Sequence, residues 1–228
     1  LGLSGANIAQ EILQNYLVAG TQDTGRENFL PILDQALQAG ITCFQFRDKG
    51  PNSLPTDAMR SDYAKKAQAL CRTYHVPFII DDRLELALDL QADGLHVGQS
   101  DQPWPKIEVA KQHGLITGLS CHTAQEILSS HQQPALDYIG VGPIFPTNSK
   151  EDAKTPLGLA QLKTFTQLSQ LPVVAIGGIS LKNCQQVAET GVAGAAVISA
   201  ITQAKNIPQA IQLLNQPWQS SEGNNHES

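Results

Sequence analysis

The sequence predicts an α/β protein built as a (β/α)8 TIM barrel with a short N-terminal helix, and three observations carry that prediction. Eight short apolar runs alternate with eight segments of helical character, joined by short links, which argues for a parallel sheet. The runs are continuously apolar, as expected of strands covered on both faces. Eight such units fit into roughly 200 residues, the size of one closed barrel. A doubly wound open sheet rarely needs so many regular units, and no G-x-G-x-x-G follows the first run, so the dinucleotide fingerprint is absent.

The elements follow in order. Residues 1–15 are expected to form an N-terminal helical extension, with Ile8, Ile12 and Leu13 on one side. The barrel domain is assigned to residues 16–216. Its first run is 16–19, and the helix after it, 29–39, ends at Gly40, a residue suited to a helix C-terminus. The next runs are 41–46, 76–80, 94–97 and 115–119, with helices at 57–74, 84–90, 104–113 and from Thr123. Thr123 and Glu126 form a T-x-x-E capping box that fixes the start of the last of these. Runs at 138–142, 172–176 and 194–198 complete the set, with helices at 158–168, 181–189 and 208–214. The polar, Gly/Asn-rich residues 217–228 are expected to be a disordered tail.

Composition limits the function. The chain of 228 residues is 41% hydrophobic, enough for a sizeable core. A net charge of −6 argues against a broad nucleic-acid footprint, so an anionic ligand must be met by a few placed cations. Cys43, Cys71, Cys121 and Cys184 are scattered without a CxxC, as buried thiols in a reducing compartment would be. No run of about 18 apolar residues marks a membrane span, and no signal segment is expected. A cytoplasmic protein is the expectation, and a homo-oligomer is left open.

In a barrel the chemistry sits where strands end. Those ends carry Gln45, Arg47, Asp48 and Lys49; Asp81, Asp82 and Arg83; Gly98, Gln99 and Asp101; and Ser120, Cys121 and His122. The later strands add Thr147, Ser149 and Lys150, then Gly177 and Gly178, then Ser199. Asp82 could cap a helix with Glu85 completing a capping box, and Asp101 could cap the next helix. Read as a pair, they would put two carboxylates from neighbouring strands near Arg47, Lys49 and Lys150. That set suits magnesium bound to a diphosphate. Hydroxyls, an amide and a lysine in the loop 147–150 suit phosphate oxygens. Gly177-Gly178 with Ser199 match the phosphate site built by the last two loops of many barrels. His96, inside a strand, reads as barrel interior. His122, at a strand end, suits either acid–base work or a helix start.

Five segments carry a resemblance: QFRDKG (45–50), ADGLHVGQSD (92–101), DYIGVGPIFPTNSK (137–150), AIGGI (175–179) and AVISAI (196–201). Together they resemble the thiamine phosphate synthase family, over about residues 16–214. The resemblance implies a (β/α)8 barrel that joins 4-amino-2-methyl-5-hydroxymethylpyrimidine diphosphate to a thiazole phosphate, releasing pyrophosphate with Mg2+. It implies that Gln45, Arg47 and Lys49 bind the pyrimidine diphosphate and that Asp82 and Asp101 hold the metal. Ser120 and Lys150 would contact the diphosphate or pyrimidine portion. Thr147, Ser149, Gly177, Gly178, Ile198 and Ser199 would hold the thiazole phosphate. Arg47, Lys49, Ser120 and Lys150 form the implied catalytic set. The family often has Asn-Asp after the third strand, and here Asp81 takes the asparagine's place as a substrate contact. The implied mechanism is dissociative: the diphosphate leaves, and the thiazole nitrogen attacks the pyrimidine methylene cation. The related thiazole tautomerase would use His122 and would not need the diphosphate-binding set. A non-catalytic barrel binding a phosphorylated metabolite would not need carboxylates beside cations.

Overall fold

The structure, a computed structural model, describes residues 11–147 and 154–219. Eight parallel strands pair in chain order and close into a barrel, β8 returning to β1. They are β1 (Asn15–Ala19), β2 (Cys43–Phe46), β3 (Phe78–Asp81), β4 (Gly94–Val97), β5 (Ile116–Cys121), β6 (Tyr138–Val141), β7 (Val173–Ile176) and β8 (Gly194–Val197).

The period of two along each strand divides the core. On β1, Tyr16 and Val18 point inward, where they join Cys43, Ile79, Tyr138, Val174 and Ala196. Leu17 and Ala19 point outward, with Phe44, Phe78 and Ile80, against the surrounding helices. Phe29 packs edge-on against Phe46, and Phe44 stacks on Phe78 at 6.1 Å between ring centres. Each such side chain contributes about 1.5–3 kcal/mol by burial. Phe44→Ala would cost about 3–5 kcal/mol once the cavity is counted.

The helices are α1 (Thr21–Thr24), α2 (Arg26–Gln38), α3 (Asp57–Thr73), α4 (Leu84–Asp89), α5 (Pro103–Gln112), α6 (Ala124–Ser130), α7 (Gly158–Leu168), α8 (Cys184–Ala188), α9 (Ser199–Thr202) and α10 (Ile207–Gln219). The Thr123–Glu126 capping box is formed as expected. Two elements were not expected, α1 and α9, each too short to show a helical period. The expected N-terminal helix is represented by its end at residues 11–13, and buried Leu13 joins the interior cluster; residues 1–10 lie outside the described residues. At the other end, α10 runs to Gln219, so residues 217–219 are helix and not tail. Pro217 reads as a stop in sequence, but Trp218 after it is buried against the core and anchors the last turn. Residues 220–228 lie outside the described residues.

Candidate active site

The strand C-termini open onto one cavity of about 300 Å³. Of the expected residues, Arg47, Lys49, Asp81, Asp82, Asp101, Ser120, Thr147, Gly177, Gly178, Ile198 and Ser199 all line it. Gln45 does not: it is buried inside the barrel, and its amide Nε2 donates to the Tyr16 hydroxyl at 2.8 Å. The side chain at 45 faces inward, one step below the mouth. Ser149 and Lys150 lie outside the described residues.

The acidic side is built by β3 and β4. Asp82 follows β3 in the left-handed region, at φ 60°. Asp is among the few non-glycine residues that tolerate this, at some strain. The turn is held by Asp82 N–H donating to the His96 carbonyl at 2.8 Å and by Lys106 Nζ donating to the Asp82 carbonyl at 2.8 Å. Neither aspartate caps a helix: the residue preceding α4 is Arg83 and that preceding α5 is Gln102, neither with a side-chain cap. Instead the Gly98 N–H lies 3.3 Å from Asp82 Oδ1 and 3.1 Å from Asp101 Oδ2, so the two carboxylates share one donor.

Cations complete this side. Lys49 Nζ donates to Asp82 Oδ2 and lies 3.9 Å from Asp81 Oδ2, while Arg47 Nε lies 3.6 Å from Asp81 Oδ2. Burial alone would raise Asp82, but the Lys49 ammonium outweighs it and holds the carboxyl below its usual range. Asp101 is pushed up, first by burial and then by the charge of Asp82. Burial alone would lower Lys49, and the three aspartates outweigh it and raise it. The opposed shifts follow from Lys49, which pairs with Asp82 and leaves Asp101 facing that carboxylate.

Asp48, at the same strand end, is different. Its side chain is fully buried and accepts from Thr21 N at 3.0 Å, Thr21 Oγ1 at 2.6 Å, Leu54 N at 2.7 Å and Arg60 Nε at 3.3 Å. It fastens the loop that carries Arg47 and Lys49 and does not face the ligand cavity.

Loops seven and eight form the other side. Gly177 and Gly178 sit at φ 97° and 66°, which favour glycine. A Cβ at Gly178 would lie 2.7 Å from both Phe145 Cβ and the Pro146 carbonyl, so the loop after β7 packs directly beneath the loop after β6. Asn183 braces it, donating to the Gly178 carbonyl at 3.1 Å and accepting from Ser180 N–H at 2.8 Å. Ile198 and Ser199 follow at the end of β8.

Lys154, Gln99 and His122 also line the cavity. Lys154 lies between β6 and α7, its Nζ 3.5 Å from Glu126 Oε1. A charge in an aperiodic loop gives no sequence mark of direction. Gln99 donates through Nε2 to the Ser120 carbonyl at 2.8 Å, fixing the loop after β4 to β5. His122 Nδ1 lies 3.0 Å from the Gly142 carbonyl and must be the donor there. No group of three or more His, Cys, Asp or Glu that could hold a metal occurs among the described residues. The Asp82–Asp101 pair still fits magnesium, which takes one or two carboxylates and completes its shell with water and substrate phosphate oxygens.

Fold and cavity together define a (β/α)8 barrel whose mouth gathers the cations Arg47 and Lys49, three aspartates and the glycine loop after β7. The family model described as thiamine monophosphate synthase matches residues 15–201, and the chain belongs to that family. It is 99% identical over 222 residues to the thiamine-phosphate synthase of Latilactobacillus sakei subsp. sakei (strain 23K), covering 97% of this chain and 99% of that one. It is 44% identical over 205 residues to that of Pediococcus pentosaceus, covering 90% and 95%. Among solved structures, the thiamine phosphate pyrophosphorylase of Pyrococcus furiosus matches with a TM-score of 0.79 at 33% identity, covering 94% of this chain and 99% of that one.

Proposed function

We propose a division of the cavity between the two substrates of thiamine phosphate synthesis. The chain is a transferase that couples 4-amino-2-methyl-5-hydroxymethylpyrimidine diphosphate with a thiazole phosphate, giving thiamine phosphate and pyrophosphate. The observation that carries the division is that two groups of the expected residues line one cavity from separate strand ends. Arg47, Lys49, Asp82 and Asp101 come from the ends of β2, β3 and β4, and Gly177, Gly178, Ile198 and Ser199 from the ends of β7 and β8. In a barrel closed in the order β1 to β8 these sets face each other across the mouth. Two phosphorylated ligands held this way meet with their organic parts between them.

On the diphosphate side, Asp82 and Asp101 would hold Mg2+, which when bound supplies charge for the leaving pyrophosphate. Arg47 and Lys49 bind the diphosphate oxygens. The C–O bond to the pyrimidine methylene breaks with its electron pair on the diphosphate, so fixed cations stabilise what forms. The thiazole nitrogen lone pair then makes the new C–N bond, and no protein nucleophile is needed. Asp81 orients Arg47 and Lys49 in place of the amide contact that an asparagine would make. Ser120 donates to the diphosphate-bearing substrate. Thr147, Gly177, Gly178, Ile198 and Ser199 bind the thiazole phosphate, joined by Ser149. Lys150 would contact the diphosphate. A reducing cytoplasm suits the four free, buried cysteines; no described helix is long and apolar enough to cross a membrane.

The test is direct. Both phosphorylated precursors, Mg2+ and the protein should yield thiamine phosphate and one equivalent of pyrophosphate. Consumption of either precursor alone, or no coupled product, would refute the assignment.

A further inference from the structure

The barrel interior holds a polar chain with one open end in the cavity. Gln45 Nε2 donates to Tyr16 Oη at 2.8 Å, Tyr16 Oη lies 2.8 Å from Tyr138 Oη, and Tyr138 Oη lies 3.0 Å from His96 Nδ1. On the far side of the imidazole, His96 Nε2 lies 2.9 Å from Ser120 Oγ. Of the five residues, only Ser120 lines the cavity. Space for the chain is made by glycines: a Cβ at Gly118 would lie 2.2 Å from Tyr138 Cζ and 2.5 Å from His96 Nδ1, and one at Gly140 would lie 3.3 Å from His96 Cε1.

Donor bookkeeping gives the chain a direction. The Gln45 NH2 can only donate, so Tyr16 accepts there and sends its own proton to Tyr138. Tyr138 then sends its proton to His96 Nδ1. An imidazole accepting at Nδ1 carries its proton on Nε2, and that N–H donates to Ser120 Oγ. Burial holds both phenols far above their usual range, so each remains a neutral O–H throughout.

We propose that this buried chain sets the direction of the Ser120 hydroxyl, so that its proton points into the cavity as a donor to the diphosphate-bearing substrate. His96, Tyr138, Tyr16 and Gln45 are positioning residues acting through Ser120. This rests on the substrate assignment above for what is bound, but not for the direction of the chain. A serine free to rotate spends part of its time accepting. A serine that already accepts from His96 has its proton left for the ligand, and a preorganised donor is worth more as charge develops.

Two measurements test it. In protein labelled with 15N-histidine, long-range 1H–15N correlation reports the tautomer of each of the six histidines, and the His96 signals are those lost in His96→Leu. The expected state without substrate at pH 8 is neutral with the proton on Nε2. A proton on Nδ1, or on both nitrogens, overturns the proposal. In steady-state kinetics with Mg2+, His96→Leu should lower kcat about 100- to 1000-fold, and Ser120→Ala should do the same, with both KM values within about twofold. The double variant should be no slower than Ser120→Ala, because the two act as one unit. His96→Gln, whose amide nitrogen can stand where Nε2 stands, should recover most of the rate. A His96→Leu enzyme at the wild-type kcat, or losses that multiply, would overturn the proposal. If His96→Leu does not fold, the wild-type tautomer still decides, with the His96 signal assigned from His96→Gln. Failure of the wild-type protein to make thiamine phosphate would strike the functional assignment alone.

Discussion

Asp48→Ala should destabilise the protein more than any change at the acid pair. The carboxylate is fully buried and meets four donors on Thr21, Leu54 and Arg60. Its removal leaves Arg60, only 12% exposed, short of a buried counter-charge. Breaking a buried pair from one side costs about 3–5 kcal/mol. Summing the four bonds separately would exceed this, but Arg60 keeps Asp57 and the Leu54 carbonyl as partners. For a domain of this size each kcal/mol moves Tm by about 2–4 °C, so Tm should fall by about 6–20 °C. Because the same carboxylate fastens the loop bearing Arg47 and Lys49, KM for the pyrimidine diphosphate should rise more than KM for the thiazole phosphate. Calorimetry and two-substrate kinetics measure both. A Tm within about 3 °C of wild type, or equal effects on the two KM values, would show that the loop does not depend on this anchor.

Three other outcomes follow from the same geometry. Asp101→Ala should cut turnover by orders of magnitude while Tm changes little, since Asp101 caps no helix and is proposed, with Asp82, to hold Mg2+; a stable, active variant would remove it from that role. Ser199→Ala should raise KM for the thiazole phosphate about 10- to 150-fold, the value of one hydrogen bond to a charged group, and leave KM for the pyrimidine diphosphate unchanged; equal changes would mean the two ligands are exchanged. Cys121 lines the cavity but burial pushes its thiol up to about 12, so at pH 8 only about one part in 10,000 is thiolate. Iodoacetamide at that pH should leave activity intact over the time that consumes a free thiol, and inactivation that Cys121→Ser prevents would contradict the shift.

The fold was legible because its units are regular. Eight apolar runs gave eight strands, and the Thr123–Glu126 box set the start of α6 where the sequence placed it. Strand ends were less sharp: Asp81 belongs to β3 and Cys121 to β5, because pairing with neighbours extends a strand past its last apolar residue. Cavity residues were legible because a parallel barrel presents every strand end to one mouth. Their roles were not. Asp48 and Asp82 are both aspartates just beyond a strand, and nothing local separates them. What separates them is the distant partner: Arg60, Leu54 and Thr21 close over one, while Gly98, Asp101 and Lys49 surround the other in the open mouth.

The interior chain shows the same limit in stronger form. Tyr16 and Tyr138 stand 122 residues apart and occupy apolar strand positions, so period alone assigns them to packing. His96 reads as interior for the same reason, and Gln45 as a mouth residue because it lies beside Arg47 in sequence. Only closure of the sheet brings the four polar groups into line, and it does so because Gly118 and Gly140 leave the volume that His96 and Tyr138 fill. Burying such groups singly would cost about 1–3 kcal/mol each. Joined, each donor finds an acceptor and the penalty largely disappears. The orientation remains, running from the Gln45 amide inside the barrel to the Ser120 hydroxyl at its mouth. A core of leucines could match the stability of this interior, but it would leave the Ser120 proton without a fixed direction.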